Sequence, residues 1–356
     1  MAGMSGGAQG RVTKYKAELS IGVSIAICAA IALNLHAPWT LILWWLEIGL
    51  WAAYFWSDSV EGLLSFSKPA PQGSVGLLIV LACAAVVRLY RLAEFPLGPF
   101  VDEIYALNNS LLLLEKPLDA FGHTLLFSEA WGRDHPNLFL YLNSPILKLF
   151  GVSYWSTKLL TAIPGVVACA AVFLISRQIF DRRIALGTAL LFAFAHWSIR
   201  LNRYGWDVSL MIVMFAGAIW LLLRAMQSGL PFYAYCSGIA AGLSLYSYLG
   251  ARICVLSLLS FLALECALRR GRSIYRQGVA FATGVAAAAY PLLCDYSSEP
   301  AAFWGRTSEV TVFNNAHPFL VIAKNIGLHA LMFHWSGGAF ARDNFPGLPM
   351  IDPRTV

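Results

Sequence analysis

The sequence predicts an all-α protein: a polytopic bundle of about nine transmembrane helices with a long first outer loop that contains interfacial helices. Three observations lead there. Hydrophobic residues fill 58% of the 356 positions and charged residues only 12%, against about 25% charged in a soluble domain. So few charges cannot clothe a water-facing surface, so lipid must be part of the solvent. The apolar residues also come in long runs rather than in amphipathic stripes. In hydrocarbon the backbone must satisfy its own hydrogen bonds, which makes each run a helix. Finally, the basic residues sit in short clusters between alternate runs, as the positive-inside rule expects of a membrane protein.

Taken in order, the first run is Leu19–Leu33, preceded by Arg11, Lys14 and Lys16. No small-residue cleavage site bounds it and a second run, Thr40–Trp56, follows at once, so it reads as a span and not a removable leader. Ser74–Leu92 is the third. A loop from Glu94 to Tyr154 comes next, with short apolar helices at Ile104–Glu115 and Pro136–Phe150 that suit the membrane interface. The remaining spans are Trp155–Ser176, Ile184–Ile199, Asp207–Leu223, Pro231–Leu249, Ile253–Leu268 and Gln277–Leu293. His317–Trp335 in the tail is a third interfacial candidate. An N-terminus in the cytoplasm puts Arg177, Arg182 and Arg183, then Arg224, then Arg269, Arg270, Arg272 and Arg276 on that same side. The long loop, the turn His196–Trp206 and the tail from Cys294 then face outward. The chain divides into an extra N-terminal hairpin (1–73), a core (74–293, with its outer loop 94–154) and an outer tail (294–356).

Composition excludes other classes. The net charge of +6 is spread over loop clusters, which does not suit nucleic acid. The seven cysteines show no CxxC or metal spacing and read as small buried hydrophobes; neither a cofactor nor a metal is expected. No glycine-rich phosphate loop follows a strand.

Candidate chemistry gathers at the outer ends of helices. Asp102 and Glu103 are adjacent, so on a helix they point apart, one free to face a cavity while the other holds structure. An acidic pair in a first helical turn also suits the helix dipole without any function. Arg200, Arg203 and Arg252 stand at the outer face against the charge rule, with Asp207 beside them. Guanidinium forks suit a phosphate there, and snorkelling to headgroups is the plain alternative. His135, in Gly132–Asn137, can carry a proton or meet a phosphate, and the same stretch also reads as a capped helix start.

Several stretches together resemble the GT-C glycosyltransferases, most closely the protein O-mannosyltransferase and aminoarabinose-transferase branch, glycosyltransferase family 39. Asp102-Glu103 matches that family's acidic pair in the first outer loop. Gly132–Tyr141 is similar to its His-Pro element, with Asn137 in place of a second proline. Phe180–Leu186, Ile199–Asp207 and Gly242–Arg252, which holds Tyr248, resemble further family segments. The resemblance implies an inverting transfer, at the periplasmic or extracellular face of a bacterial inner membrane, of a sugar from a polyprenyl-phosphate carrier to a lipid, glycan or protein acceptor. It makes Asp102 the general base with Glu103 beside it and Asp207 a second acidic position. Arg200, Arg203, Arg252, His135 and Tyr248 become the substrate-binding set. Two departures stand out: the first two helices are extra, and the chain ends at Val356, where family members continue with further spans. A transporter or flippase for a lipid-linked solute, or an inactive truncated remnant, is the rival reading. The midplanes of the nine runs are nearly free of charge, which favours an enzyme over a transporter.

Overall fold

The computed structural model describes residues 5–35, 37, 39–57, 59–60, 74–96, 98–115, 137–337 and 347–350. Among them, regular structure is entirely helical. Each apolar run read from the sequence is a helix: α1 (Ser5–Leu33), α2 (Thr40–Ser57), α3 (Ser74–Leu89), α6 (Tyr154–Ile179), α9 (Val208–Ser228), α10 (Pro231–Ser244), α11 (Ala251–Arg269) and α12 (Arg272–Ser298), with the fifth run split in two. The interfacial candidates are helices as well: α4 (Val101–Glu115), α5 (Leu138–Phe150) and α14 (Pro318–Leu331). An additional helix, α13 (Pro300–Val310), precedes α14. By length and composition five of the described helices are able to cross a membrane, or six if the bent pair counts as one span. Others, such as α3 with 16 residues and α10 with 14, are shorter than the roughly 20 residues a full crossing takes.

The fifth run departs from the expectation of one straight span. It forms α7 (Arg182–Phe194) and α8 (His196–Arg203), bent by 56° at Ala195, whose ψ of 117° leaves the helical region. A break in the ladder strands carbonyls of the preceding turn. Here the Ala193 carbonyl accepts from Arg88 Nη1 at 2.9 Å. The start of α7 is conventional: Asp181 caps it, its carboxylate accepting from the Arg183 and Ile184 N–H groups at 2.7 and 3.0 Å. Those two bonds, that of Ile184 first, hold the Asp181 carboxyl below the usual carboxylate range.

The chain forms two compact units. The first comprises residues 1–69, 217–245 and 250–298, and its closest helix pair is α10 against α12. Gly238 and Gly242 on α10 form a small-xxx-small face, the motif that lets membrane helices approach backbone to backbone. A Cβ on Gly238 would lie 2.1 Å from the Phe281 carbonyl oxygen, and one on Gly284 2.3 Å from that of Tyr235. The N-terminal hairpin α1–α2 is tied to this pair by buried polar anchors. Trp44 Nε1 donates to the Ala287 carbonyl at 3.0 Å and the Tyr235 hydroxyl to that of Ile48 at 2.7 Å. Inside the hairpin, Glu47 is buried and accepts from Ser24 Oγ at 2.6 Å and Trp51 Nε1 at 2.8 Å.

The second unit comprises residues 70–216, 246–249 and 299–356. Its apolar core joins α3, α6 and α7 through Val80, Ala84, Cys169, Phe173, Ala185 and Ala189. Ala106 of α4, Phe139 and Leu140 of α5 and Leu210 of α9 form a second cluster. Polar groups lie in the α4–α5 seam as well: Asn143 Nδ2 donates to Ser110 Oγ at 3.2 Å and Ser144 Oγ to the Ser110 carbonyl at 2.9 Å. The seven cysteines are all free thiols.

Candidate functional site

The acidic pair opens α4, in its first turn, where the dipole favours carboxylates. The two residues then part company, as neighbours on a helix must. Glu103 is buried, at 4% exposure, and both its oxygens serve the backbone. Oε2 accepts from the Phe100 N–H at 2.7 Å and Oε1 from the Gly205 N–H at 2.6 Å. The first bond locks the start of α4; the second fastens it to the turn between α8 and α9. Asp102, half-buried, is left on the other side of the turn.

That turn, Tyr204–Asp207, carries the second carboxylate. Asp207 stands immediately ahead of α9 and is 3% exposed, with Oδ1 making no hydrogen bond. Burial, and after it the nearby charge of Asp102, hold its carboxyl well above the usual carboxylate range, while the N–H groups of Asp207 and Val208 pull weakly the other way. Two carboxylates from distant parts of the chain are therefore electrostatic neighbours, and one of them lacks solvent. The ring of Trp206 meets that of Tyr248 edge-on, centroids 5.5 Å apart, which brings Tyr248 to the same turn. Beside it, the Tyr246 carbonyl accepts from the Leu138 N–H at 3.1 Å, and Asn137, 1% exposed, has neither side-chain oxygen nor nitrogen hydrogen-bonded.

The arginines divide. Arg203 is buried and spends its guanidinium on the main chain: Nη1 donates to Val87 O at 2.7 Å, Nη2 to Tyr90, Arg91 and Phe95 carbonyls at 2.9–3.1 Å, and Nε to Phe95 O at 3.3 Å. It caps the C-terminal end of α3, where orphan carbonyls need donors. Arg200 is half-buried in the last turn of α8. Arg252 belongs to the other unit, where Nη2 donates to the Tyr296 hydroxyl at 2.9 Å and the guanidinium lies 5.1 Å from that ring's centroid. His135 lies outside the described residues. Among the described residues no three His, Cys, Asp or Glu side chains are grouped to hold a metal ion.

Sequence reasoning missed the support beneath the turn. Arg88, fully buried in α3, donates to Asn202 Oδ1 at 3.0 Å and Ser198 Oγ at 2.9 Å as well as to the broken ladder of α7. Asn202 Nδ2 in turn donates to Ser209 Oγ at 3.1 Å. Gly165 of α6 makes room: a Cβ there would fall 2.4 Å from the Asn202 side chain. Lys158, 2% exposed, reaches the Pro96 carbonyl at 3.3 Å and has Glu103 and Arg203 as charged neighbours. Arg88, the first of two arginines (with Arg91) near the end of the apolar run Ser74–Leu92, was the available signal, since a cation inside such a run needs a reason.

With this geometry, residues 134–294 match the family described as dolichyl-phosphate-mannose-protein mannosyltransferase. The resemblance is to the GT-C-type membrane glycosyltransferases. The mannosyltransferase-like segment runs from just ahead of α5 into the last turns of α12 and includes Arg200, Asp207 and Tyr248. No curated protein matches the chain. Among solved structures, the Saccharomyces cerevisiae protein O-mannosyltransferase Pmt1–Pmt2 complex bound to the sugar donor is similar, at 16% identity and a TM-score of 0.48, over 64% of this chain and 34% of that one. The Archaeoglobus fulgidus oligosaccharyltransferase in complex with zinc and sulfate matches at 16% identity and a TM-score of 0.39, over 72% and 40%. The archaeal oligosaccharyltransferase AglB from Archaeoglobus fulgidus, in complex with an inhibitory peptide and a dolichol-phosphate, matches at 16% identity and a TM-score of 0.38, over 72% and 36%. The chain thus spans between a third and two fifths of the length of those proteins.

Proposed function

We propose that the chain acts as a membrane glycosyltransferase that moves a sugar from a polyprenyl-phosphate carrier to an acceptor at the outer face of the membrane. The observation that carries the reading is the nearness of Asp102 to the buried Asp207 at the starts of two helices, with Asp207 inside the stretch 134–294 that matches a dolichyl-phosphate-mannose-protein mannosyltransferase family. The bond changes are simple. A base removes the acceptor hydroxyl proton, the acceptor oxygen attacks the anomeric carbon with inversion, and the carbon–oxygen bond to the carrier phosphate breaks. Asp102 is the group that takes the proton. Glu103, spent on two backbone N–H groups, orients it. Asp207, whose carboxyl burial and the charge of Asp102 push upward, stands as the second acidic group beside Asp102.

The leaving phosphate needs cations, because charge grows on it as the bond breaks. Arg200 is the candidate at the turn itself, with Arg252, His135 and Tyr248 as further donor-binding candidates. Arg203 serves by position: its donors are occupied by main-chain carbonyls. Carrier and product diffuse laterally in the bilayer, so no soluble nucleotide site is required. The acceptor is a lipid, glycan or protein presented on that face.

The test is Asp102→Asn in a transfer assay with purified protein and polyprenyl-phosphate-linked sugars. General-base removal should lower transfer by about 10²-fold or more while carrier binding holds. Glu103→Gln keeps one acceptor oxygen where two are used, so its main loss should appear in thermal stability. Near-normal transfer in correctly inserted Asp102→Asn would falsify the assignment.

Transport of a lipid-linked solute is the second reading. Glu47 favours it: a buried carboxylate inside α2 with Oε2 making no hydrogen bond, as membrane pathways often contain. Vesicle uptake abolished by Glu47→Gln and untouched by Asp102→Asn would favour transport over transfer.

A further inference from the structure

The N-terminal hairpin does more than precede the family-like segment. With α10 and α12 it encloses a cleft of about 640 Å³ in the first unit, within the roughly 300–1,000 Å³ of small-ligand sites. Ile21 of α1, Trp51 and Phe55 of α2 and Val279 of α12 make its walls apolar. Arg272 and Arg276 stand at one end with Tyr275. We propose that this cleft holds one anionic glycerophospholipid, its phosphodiester at Arg272 and Arg276 and one acyl chain along the aromatic wall.

Three features favour that occupant. Arg272, Arg276, Val279 and Thr283 line the cleft at spacings of four, three and four residues along α12, which is one helix face. At 1.5 Å per residue they extend over about 16 Å, close to half of a hydrocarbon core about 30 Å thick. The cleft is therefore as deep as one leaflet, charged at one end and apolar along its length. The charge is also placed against local preference: Arg272 is the first residue of α12 and Arg276 lies one turn on, where the helix dipole already presents positive potential. An anion at that end relieves both. Finally, Lys14 and Lys16 are exposed three residues and one residue before Ala17, itself a wall residue, although Lys14 also pairs with Glu18 at 3.8 Å. The positive-inside rule assigns this basic end to the cytoplasmic leaflet, where basic pockets between membrane helices select anionic headgroups. A zwitterionic lipid would bring its own cation to the same arginines, which is the basis of selectivity.

The test uses the full-length protein, delipidated in mild detergent and titrated with phosphatidylglycerol or phosphatidylcholine, with retained lipid counted by native mass spectrometry. One phosphatidylglycerol per chain should be held in preference to phosphatidylcholine. Arg272→Gln with Arg276→Gln should weaken its retention about ten-fold or more, because the charge-assisted hydrogen bonds to the phosphodiester are lost. Ala17→Phe with Thr283→Phe, which fills the cleft and keeps both arginines, should lose the lipid as well. Arg182→Gln with Arg183→Gln removes the same charge from another basic turn and should leave retention unchanged. Equal retention of the two lipids, equal loss in the Arg182/Arg183 control, or full retention in the filled cleft would each overturn the proposal. Wild-type selectivity and the filled cleft keep the question decidable if the arginine variant does not fold.

Discussion

Asp102 and Glu103 share a peptide bond and little else. One is held by two backbone N–H groups and the other stands near a second carboxylate, a division that follows from the roughly 100° turn between successive helical residues. Asp207 has the sharper consequence. Its proton stays on to higher pH in the folded chain than in the unfolded one, because burial penalises the charged form. The folded state therefore binds more protons across that interval, and stability falls as pH rises through the raised value; it is whole at and below the ordinary carboxylate range. Asp207→Asn carries no titration and should remove this slope from the unfolding temperature measured against pH in detergent. A slope unchanged in Asp207→Asn would show that another group sets it.

At the scale of elements, the broken span α7–α8 is held by Arg88. Its guanidinium satisfies the Ala193 carbonyl, Asn202 and Ser198 in a place water does not reach. Arg88→Met should cost about 1–3 kcal/mol for each buried acceptor left unpaired, seen as a lower unfolding temperature and as wider exposure of the α8–α9 turn to proteolysis. The α10–α12 pair depends on the absence of side chains. Gly284→Leu places a Cβ within 2.3 Å of the Tyr235 carbonyl, so the two backbones must separate. Overpacking of this kind typically costs about 1–3 kcal/mol, and here it should lower the yield of folded protein more than Gly187→Leu, since nothing lies within 4 Å of a Cβ at Gly187.

For the molecule as a whole, the basic clusters predict which side each loop faces. Gly122→Cys in the long loop, on a cysteine-free background, should react with a membrane-impermeant maleimide in intact cells. Arg183→Cys on the same background should react only after permeabilisation. The opposite pattern would reverse the orientation and move Asp102 to the cytoplasmic face. Gly122 itself lies outside the described residues, so its side rests on charge distribution alone.

Helix identity was legible because hydrophobic runs and the need to satisfy the backbone in lipid leave one solution; all nine runs are helical, down to the starts at Thr40 and Pro231. The acidic pair and Asp207 were legible as unusual charges at helix ends. The bend at Ala195 was not, because nothing in an apolar run marks it: it is held by Arg88, more than a hundred residues earlier. Nor was the division among the arginines. Arg200 and Arg203 look alike in sequence, and only the folded position of α3 hands Arg203 five hydrogen bonds to main-chain carbonyls. Local composition determined where this chain meets lipid, since transfer free energy is a property of each segment. Which charge is spent on holding structure was decided by tertiary structure, since a side chain's partners come from elsewhere in the chain.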